Sequence, residues 1–285
     1  MFLPDQYQLI DFGQGRRLEQ FGPLRLDRPC PAVQCEPKQN PAAWPEADAR
    51  FERTGENTGQ WSANQELPER WTVRHGPLAF ELKRTEFGHL GLFPEQAANW
   101  DWIARQVQAA GRRVVVLNLF AYTGGSTLAA AAAGAEVVHV DAARNVVAWA
   151  RRNAELSGLA DGPIRWIVDD AMKFARREQK RAAQYDAVIL DPPSYGHGAR
   201  GEVWRLSKHL PRLLEICCQL TAGRRQFILL TCHTPEFGPR RLKELLADAL
   251  GETAIDAVAA MPMMIPAATG RKLPSGVVVR IGIGD

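Results

Sequence analysis

From Val114 onward, short apolar runs alternate with stretches in which apolar residues recur every three or four positions. The run VVVLNLF stops at Ala121-Tyr122-Thr123-Gly124-Gly125, and Ser126 with the alanine-rich TLAAAAAG follows. A short buried strand, a tight glycine turn and a helix are predicted. The motif repeats. Residues Glu136 to Asp141 (EVVHVD) predict a second strand, and Arg144 to Leu156 a helix stopped by Gly158. Ile164 to Val168 predict a third strand ending in Asp169-Asp170-Ala171, before a basic helix over Met172 to Arg181. Tyr185 to Leu190 predict a fourth, ending in Asp191-Pro192-Pro193-Ser194-Tyr195. Strands separated by helices in this way build an open parallel sheet, whose ligands sit beyond the carboxyl ends of the strands.

The flanks have other rhythms. Tyr7 to Phe12, Arg17 to Phe21 and Leu24 to Leu26 are short alternating runs that predict small hairpins, and Cys30 to Asn57 reads as loosely structured. Trp71 to Arg74, Leu78 to Lys83 and His89 to Phe93 predict a three-stranded antiparallel meander. Pro94 opens a helix over Glu95 to Ala110, with Trp100, Ile103 and Val107 on one face. After Tyr195 the glycine-rich segment Gly196 to Gly201 reads as a loop able to move over a substrate, or as an ordinary surface loop. Helices over Leu206 to Leu220 and Pro239 to Leu250 flank a strand, Gln226 to Leu230, that ends in Thr231-Cys232-His233-Thr234. Two closing strands are expected at Ala254 to Ala260 and Ser275 to Ile283.

Composition narrows the class only slightly. Hydrophobic residues make up 46% and charged residues 24% of 285, as in ordinary globular chains. No apolar run approaches the ~20 residues that span a bilayer, and the N-terminus has no basic start followed by an apolar core, so a cytoplasmic protein is expected. Five cysteines without paired spacing point to reduced thiols, with neither a disulfide framework nor a zinc site indicated. The net charge of +3 is compatible with RNA. Arginine pairs such as Arg151-Arg152 and Arg176-Arg177 read first as solvated helix faces, and a subset could line an RNA track.

The succession NLFAYTGG, VD, DDA and LDPPSY resembles the class I S-adenosylmethionine-dependent methyltransferases. Most of these carry an acid where Asn118 stands and a glycine where Tyr122 stands. The N-x-F-x-Y-T-G-G form is similar to the bacterial 23S rRNA methyltransferases that make 5-methylcytosine. The resemblance implies an α/β fold: a Rossmann-like methyltransferase sheet over 94–285, with a small β-rich appendage over 1–93. It implies S-adenosylmethionine as cofactor and RNA, ribosomal in the concrete case, as partner. Phe120, Tyr122 and Gly124 would lie beside the methionine part, Asp141 would take the ribose hydroxyls, and Asp170 with the Ala171 N–H would meet the adenine. Asp191 would face the methyl group and Tyr195 would stack on the substrate. The alternative for Asp141 and Asp170 is strand-end solvation or helix capping.

Carbon 5 of cytosine needs transient addition of a thiolate at carbon 6 before it can attack a methyl group. Cys232 matches the position of that nucleophile in the RNA cytosine-5 enzymes, although His233 stands where the family has a small polar residue. The alternative is a small apolar residue ending a buried strand. Three functions therefore stand: an RNA base methyltransferase using Cys232, a methyltransferase acting on an amino group of a nucleobase, protein or small molecule, and a non-enzymatic cofactor-binding module.

Overall fold

The computed structural model describes residues 1–55, 58–197 and 203–282. The chain divides into two compact units, one made of residues 1–97 with 264–274 and the other of residues 98–263 with 275–285.

In the first unit, β1 (Tyr7–Gly13), β2 (Arg16–Phe21), β3 (Leu24–Pro29), β4 (Ala49–Arg53) and β5 (Gly59–Ala63) form one sheet in sequence order. β3 and β4 pair parallel and the other neighbours antiparallel. The segment expected to be loose after Cys30 instead holds two 3-10 turns, Pro31–Val33 and Pro41–Glu46, and the strand β4. Its backbone is tied down by a side chain: the buried Asp11 carboxylate accepts from the Gln39 and Asn40 N–H groups and from the Trp44 indole. Alternation within Ala49–Arg53 is too short to be legible without that anchor. Asn57 lies outside the described residues. β6 (Arg70–His75) and β7 (Leu78–Lys83) form a separate two-stranded hairpin. The expected third strand at His89 to Phe93 does not form; the Lys83 N–H reaches the Leu90 carbonyl, and Gly91 at φ 92° then turns the chain away.

The second unit is a seven-stranded sheet. In chain order it comprises α1 (Ala97–Ala109), β8 (Val115–Leu119), α2 (Gly125–Ala132), β9 (Glu136–Asp141), α3 (Arg144–Leu156), β10 (Ile164–Val168), α4 (Ala171–Lys180) and β11 (Ala187–Leu190). A short hairpin follows, β12 (Tyr195–His197) with β13 (Val203–Arg205), then α5 (Leu206–Leu220), β14 (Phe227–Cys232), α6 (Pro239–Leu250), β15 (Ala259–Pro266) and β16 (Lys272–Gly282). Of the segment Gly196 to Gly201 expected as a loop, residues 196 and 197 are therefore in a strand; 198–201 lie outside the described residues, as does Ile283. The first closing strand starts later than the sequence suggests, because a 3-10 turn occupies Glu252–Ala257 after the Gly251 stop of α6, and the second starts earlier, at Lys272.

Strand order is β10-β9-β8-β11-β14-β16-β15. The first five run parallel, and β16 is antiparallel to β14. The sheet's inner strands are apolar on both faces, as a sheet covered by helices on both sides requires. Ile228 and Leu230 of β14 face a core shared with α4, α5 and α6, whereas Phe227 and Leu229 face α1 and α2. The strand order reverses between β8 and β11, the switch point at whose crevice ligands of such sheets bind.

Candidate active site

Register brings the candidate residues to one level. Val140, Leu119, Leu190 and Leu230 form a paired row across β9, β8, β11 and β14. The next residue in the chain after each is Asp141, Phe120, Asp191 and Thr231, so four strand ends, three of them carrying a polar residue, lie at one level.

The turn after β8 has an unusual backbone. Phe120 and Tyr122 take left-handed φ values of 56° and 49°, and Gly124 takes 90°. Each non-glycine residue in this region costs of order 1 kcal/mol, so the turn needs external support. Four bonds supply it. Asp141 Oδ2 accepts from the Tyr122 N–H at 2.9 Å, the Ala121 N–H donates to the Val140 carbonyl, the Gly124 N–H closes on Ala121, and Asn153 of α3 donates to the Thr123 carbonyl at 2.9 Å. Gly124 has a second constraint besides φ, since a Cβ there would stand 3.2 Å from that of Ala150. The Phe120 ring packs on Trp204, their centroids 4.9 Å apart.

Asp141 is half-buried, and burial raises its pKa despite hydrogen bonds from the Ala143, Tyr122 and Ala142 N–H groups. Oδ2 accepts from the Tyr122 N–H and Oδ1 from the Ala143 N–H at 3.0 Å, and a carboxylate has about four acceptor positions. Acceptor capacity for a diol therefore remains. Asp170 is the N-cap of α4, with Oδ1 accepting from the Lys173 N–H at 2.8 Å. Helix capping is thus part of its work, and Ala171 begins the helix with an N–H that has no intrahelical carbonyl to meet. Behind the turn, Asn118 donates to Thr127, whose hydroxyl also meets His139 Nδ1, both at 2.9 Å. All three are buried, and burial followed by the charge of Arg151 pushes His139 down to about 3.

The Asp191-Pro192-Pro193-Ser194-Tyr195 loop is fastened at four points. Thr231 donates to Asp191 Oδ1 at 2.6 Å, Ser194 and Thr234 hydroxyls meet at 2.6 Å, the Trp204 indole donates to the Pro193 carbonyl at 2.7 Å, and the Leu206 N–H donates to the Ser194 carbonyl at 3.0 Å. His233 Nε2 lies 3.5 Å from Asp191 Oδ1. Tyr195 opens β12 and is 52% exposed. Cys232 is 1% exposed and contributes to the core under α4, α5 and α6. Burial raises its thiol pKa; the Thr234 N–H and hydroxyl pull it down, and the Asp191 and Glu236 carboxylates push it up.

Asn153, Thr231, Thr234 and Trp204 were not singled out from sequence. Asn153 falls four and three positions after the buried Trp149 and Ala150 of α3, and a polar residue at such a core-facing position is the one signal that could have marked it. Among the described residues no group of three or more His, Cys, Asp or Glu side chains could hold a metal, and no helix is long and apolar enough to cross a membrane.

The turn, the strand-end acids and the start of α4 form a donor and acceptor set that suits a nucleoside carrying a charged amino-acid tail. A family model, S-adenosylmethionine-dependent methyltransferase, matches residues 48–263. The ribosomal RNA large subunit methyltransferase K/L of Syntrophotalea carbinolica is 33% identical over 147 residues, 51% of this chain and 20% of that protein. Ribosomal RNA large subunit methyltransferase I of Aeromonas hydrophila is 37% identical over 110 residues, 38% of this chain and 27% of that protein. The chain thus matches 20% to 27% of the length of these curated relatives. The crystal structure of an S-adenosylmethionine-dependent methyltransferase from Agrobacterium tumefaciens is 38% identical with a TM-score of 0.90, covering 97% of this chain and 90% of that one. With the strand order, the fastened turn and these matches together, the chain belongs to the S-adenosylmethionine-dependent methyltransferases.

Proposed function

We propose that this enzyme methylates a base in ribosomal RNA, with cytosine C5 of large-subunit RNA as the acceptor and Cys232 as its covalent nucleophile. When bound, S-adenosylmethionine supplies a methyl group on a sulfonium sulfur, which transfers by in-line displacement. On this reading Phe120, Tyr122 and Gly124 cradle the methionine end, and Asp141 takes the ribose hydroxyls. Asp170, through the oxygen not capping α4, and the Ala171 N–H take the adenine.

The observation that carries the RNA reading is the fastening of the Asp191 loop. Two prolines and four hydrogen bonds hold a carboxylate at the strand end, and the exposed Tyr195 follows it, where an unstacked base could rest on the ring. A flat acceptor needs a rigid edge and a stacking face, and this loop offers both. The large-subunit rRNA names of the relatives point the same way.

Support for the covalent step comes from Thr234, whose N–H and hydroxyl favour a thiolate at Cys232 beside Asp191. One observation favours direct transfer to a base nitrogen instead: the cysteine is buried in an apolar core, and burial keeps the thiol protonated at neutral pH. The deciding experiment incubates the protein with methyl-labelled S-adenosylmethionine and large-subunit RNA from a strain lacking the gene, beside Cys232→Ala. Label in 5-methylcytosine that vanishes in the variant is the expected result. Label on a nitrogen that survives the substitution would establish direct transfer, and absence of label from RNA would overturn the RNA reading.

A further inference from the structure

Methylating a ring carbon or an exocyclic amino group of a base displaces a proton. On a ring carbon the C5–H bond breaks, its electron pair restores the C5–C6 double bond, and the bond between C6 and sulfur opens. On an amino nitrogen the N–H bond breaks and its pair stays on nitrogen. One proton must therefore leave the site in each turnover, and the buried thiol is not equipped to carry it to water.

The structure places a second titratable group behind Asp191. His233 Nε2 is 3.5 Å from Asp191 Oδ1, the same oxygen that accepts from Thr231. The Thr231 bond fixes the rotation of the carboxylate, so one oxygen is directed at both Thr231 and the imidazole. The other side of the ring lies against β16. Gly276 of β16 leaves room for it, since a Cβ at that position would lie 2.9 Å from His233 Nδ1 and 2.7 Å from the Cys232 carbonyl. The His233 side chain is 39% exposed and that of Asp191 32%, so the imidazole connects a carboxylate at the sheet's edge to solvent. Among the groups that face it are Asp191 from β11 and its chain neighbour Cys232, and on β16 it lies against Gly276, which carries no charge.

We propose that Asp191 and His233 form a proton relay: the carboxylate takes the proton released by the methylated base and passes it to His233 Nε2, from which it leaves to water. This rests on the base-methylation reading, with Asp191 as the group that touches the acceptor and His233 acting through it. A neutral imidazole has an ordinary pKa near 6.5, matched to accepting a proton at physiological pH and returning it to solvent.

The test has two arms. In the first, methyl transfer to unmodified large-subunit RNA is followed from pH 5.5 to 9 for the wild type, His233→Gln and His233→Ala, with S-adenosylmethionine affinity measured alongside. The wild type is expected to lose rate below about pH 6.5, and both variants to lose that limb and fall at least tenfold at pH 7.5 with cofactor affinity unchanged. Added imidazole should restore part of the His233→Ala rate. Variants with wild-type rate and pH profile overturn the relay.

The second arm needs no acceptor. The His233 imidazole is titrated by NMR in the wild type and in Asp191→Asn, a substitution that keeps the carbonyl acceptor for Thr231. The midpoint is expected to drop by about half a pH unit once the carboxylate is gone. An unchanged midpoint overturns the pairing. A coupled pair in a protein that labels no RNA would sink the base-methylation reading and leave the pair standing, so the two failures are distinguishable.

Discussion

Asn153 illustrates how a residue without any chemistry of its own can govern binding. Its amide donates to the Thr123 carbonyl in a turn where Phe120 and Tyr122 are already held in left-handed conformations. Without that bond the turn has fewer restraints against relaxing, and the cofactor would have to order it on binding. Asn153→Ala should therefore weaken S-adenosylmethionine about tenfold by calorimetry, with kcat at saturation less affected than KM. Affinity within twofold of wild type at a temperature well below melting would show that the bond only adds stability. Asp141 belongs to the same turn but differs in kind. Its two oxygens serve the Tyr122 and Ala143 N–H groups, so an amide at this position turns one acceptor into a donor facing another donor. Asp141→Asn should lower stability of the apo protein by about 1–3 kcal/mol in denaturant titrations, besides impairing cofactor binding. Asp141 was legible in the sequence from its place after an apolar run. Its service to the backbone was not, because the partner Tyr122 lies in the turn after the neighbouring strand and register is a property of the folded sheet.

At the scale of elements, the Asp191 loop is a part whose shape is imposed from β13, α5 and the end of β14. Trp204 donates to the Pro193 carbonyl, packs tilted against Phe120 and stacks with His209, so it joins the loop to the turn after β8. Trp204→Phe keeps most of the ring contact and removes the donor. It should cost about 1 kcal/mol in stability and reduce kcat more than it weakens cofactor binding, which single-turnover kinetics against calorimetry would separate. Equal loss in both would place the contribution of Trp204 at the turn after β8 alone. The strands and helices of this unit were readable almost to the residue where apolar runs alternate with long periodic stretches, as in Arg144–Leu156, Leu206–Leu220 and Pro239–Leu250. Legibility failed where structure is set by distant partners. Val203–Arg205 becomes a strand only by pairing with Tyr195–His197, and Pro41–Glu46 is ordered by Asp11, about thirty residues earlier. Neither partner leaves a periodic trace in the sequence.

For the whole molecule, buried ionisable groups determine how stability depends on pH, and the two strongly depressed histidines act in the same direction in acid. His139 in the second unit is held at about 3 by burial and then by Arg151; His89 in the first is held at about 4 by burial and then by Arg28, Arg17 and Arg53. Both are neutral in the native state where the unfolded chain, with imidazole near 6.5, is already protonated. Between pH 6.5 and about 4 the unfolded state thus binds more protons, and stability falls as pH falls. The two best-fastened carboxylates add a later stage. Burial alone would raise Asp186, but Arg224, the Val115 N–H and Arg112 hold it below its ordinary value; Asp11 is buried too, and Trp44, Asn40 and Gln39 lower it in the same way. For these groups the native pKa lies beneath the unfolded one, so their contribution is complete above about pH 4 and is lost as pH falls through the native value. Acid unfolding should consequently begin near pH 6.5, two units earlier than carboxylates alone would give, with a limiting slope of about 1.4 kcal/mol per pH unit for each histidine. Denaturant titrations of wild type and His139→Phe from pH 8 to 4 provide the check. The variant starts lower at pH 8, because the Thr127 hydroxyl loses a partner, yet its stability should change less between pH 6.5 and 4. Parallel curves over that interval would mean that His139 takes up its proton without unfolding, which the closed Asn118, Thr127 and His139 chain argues against.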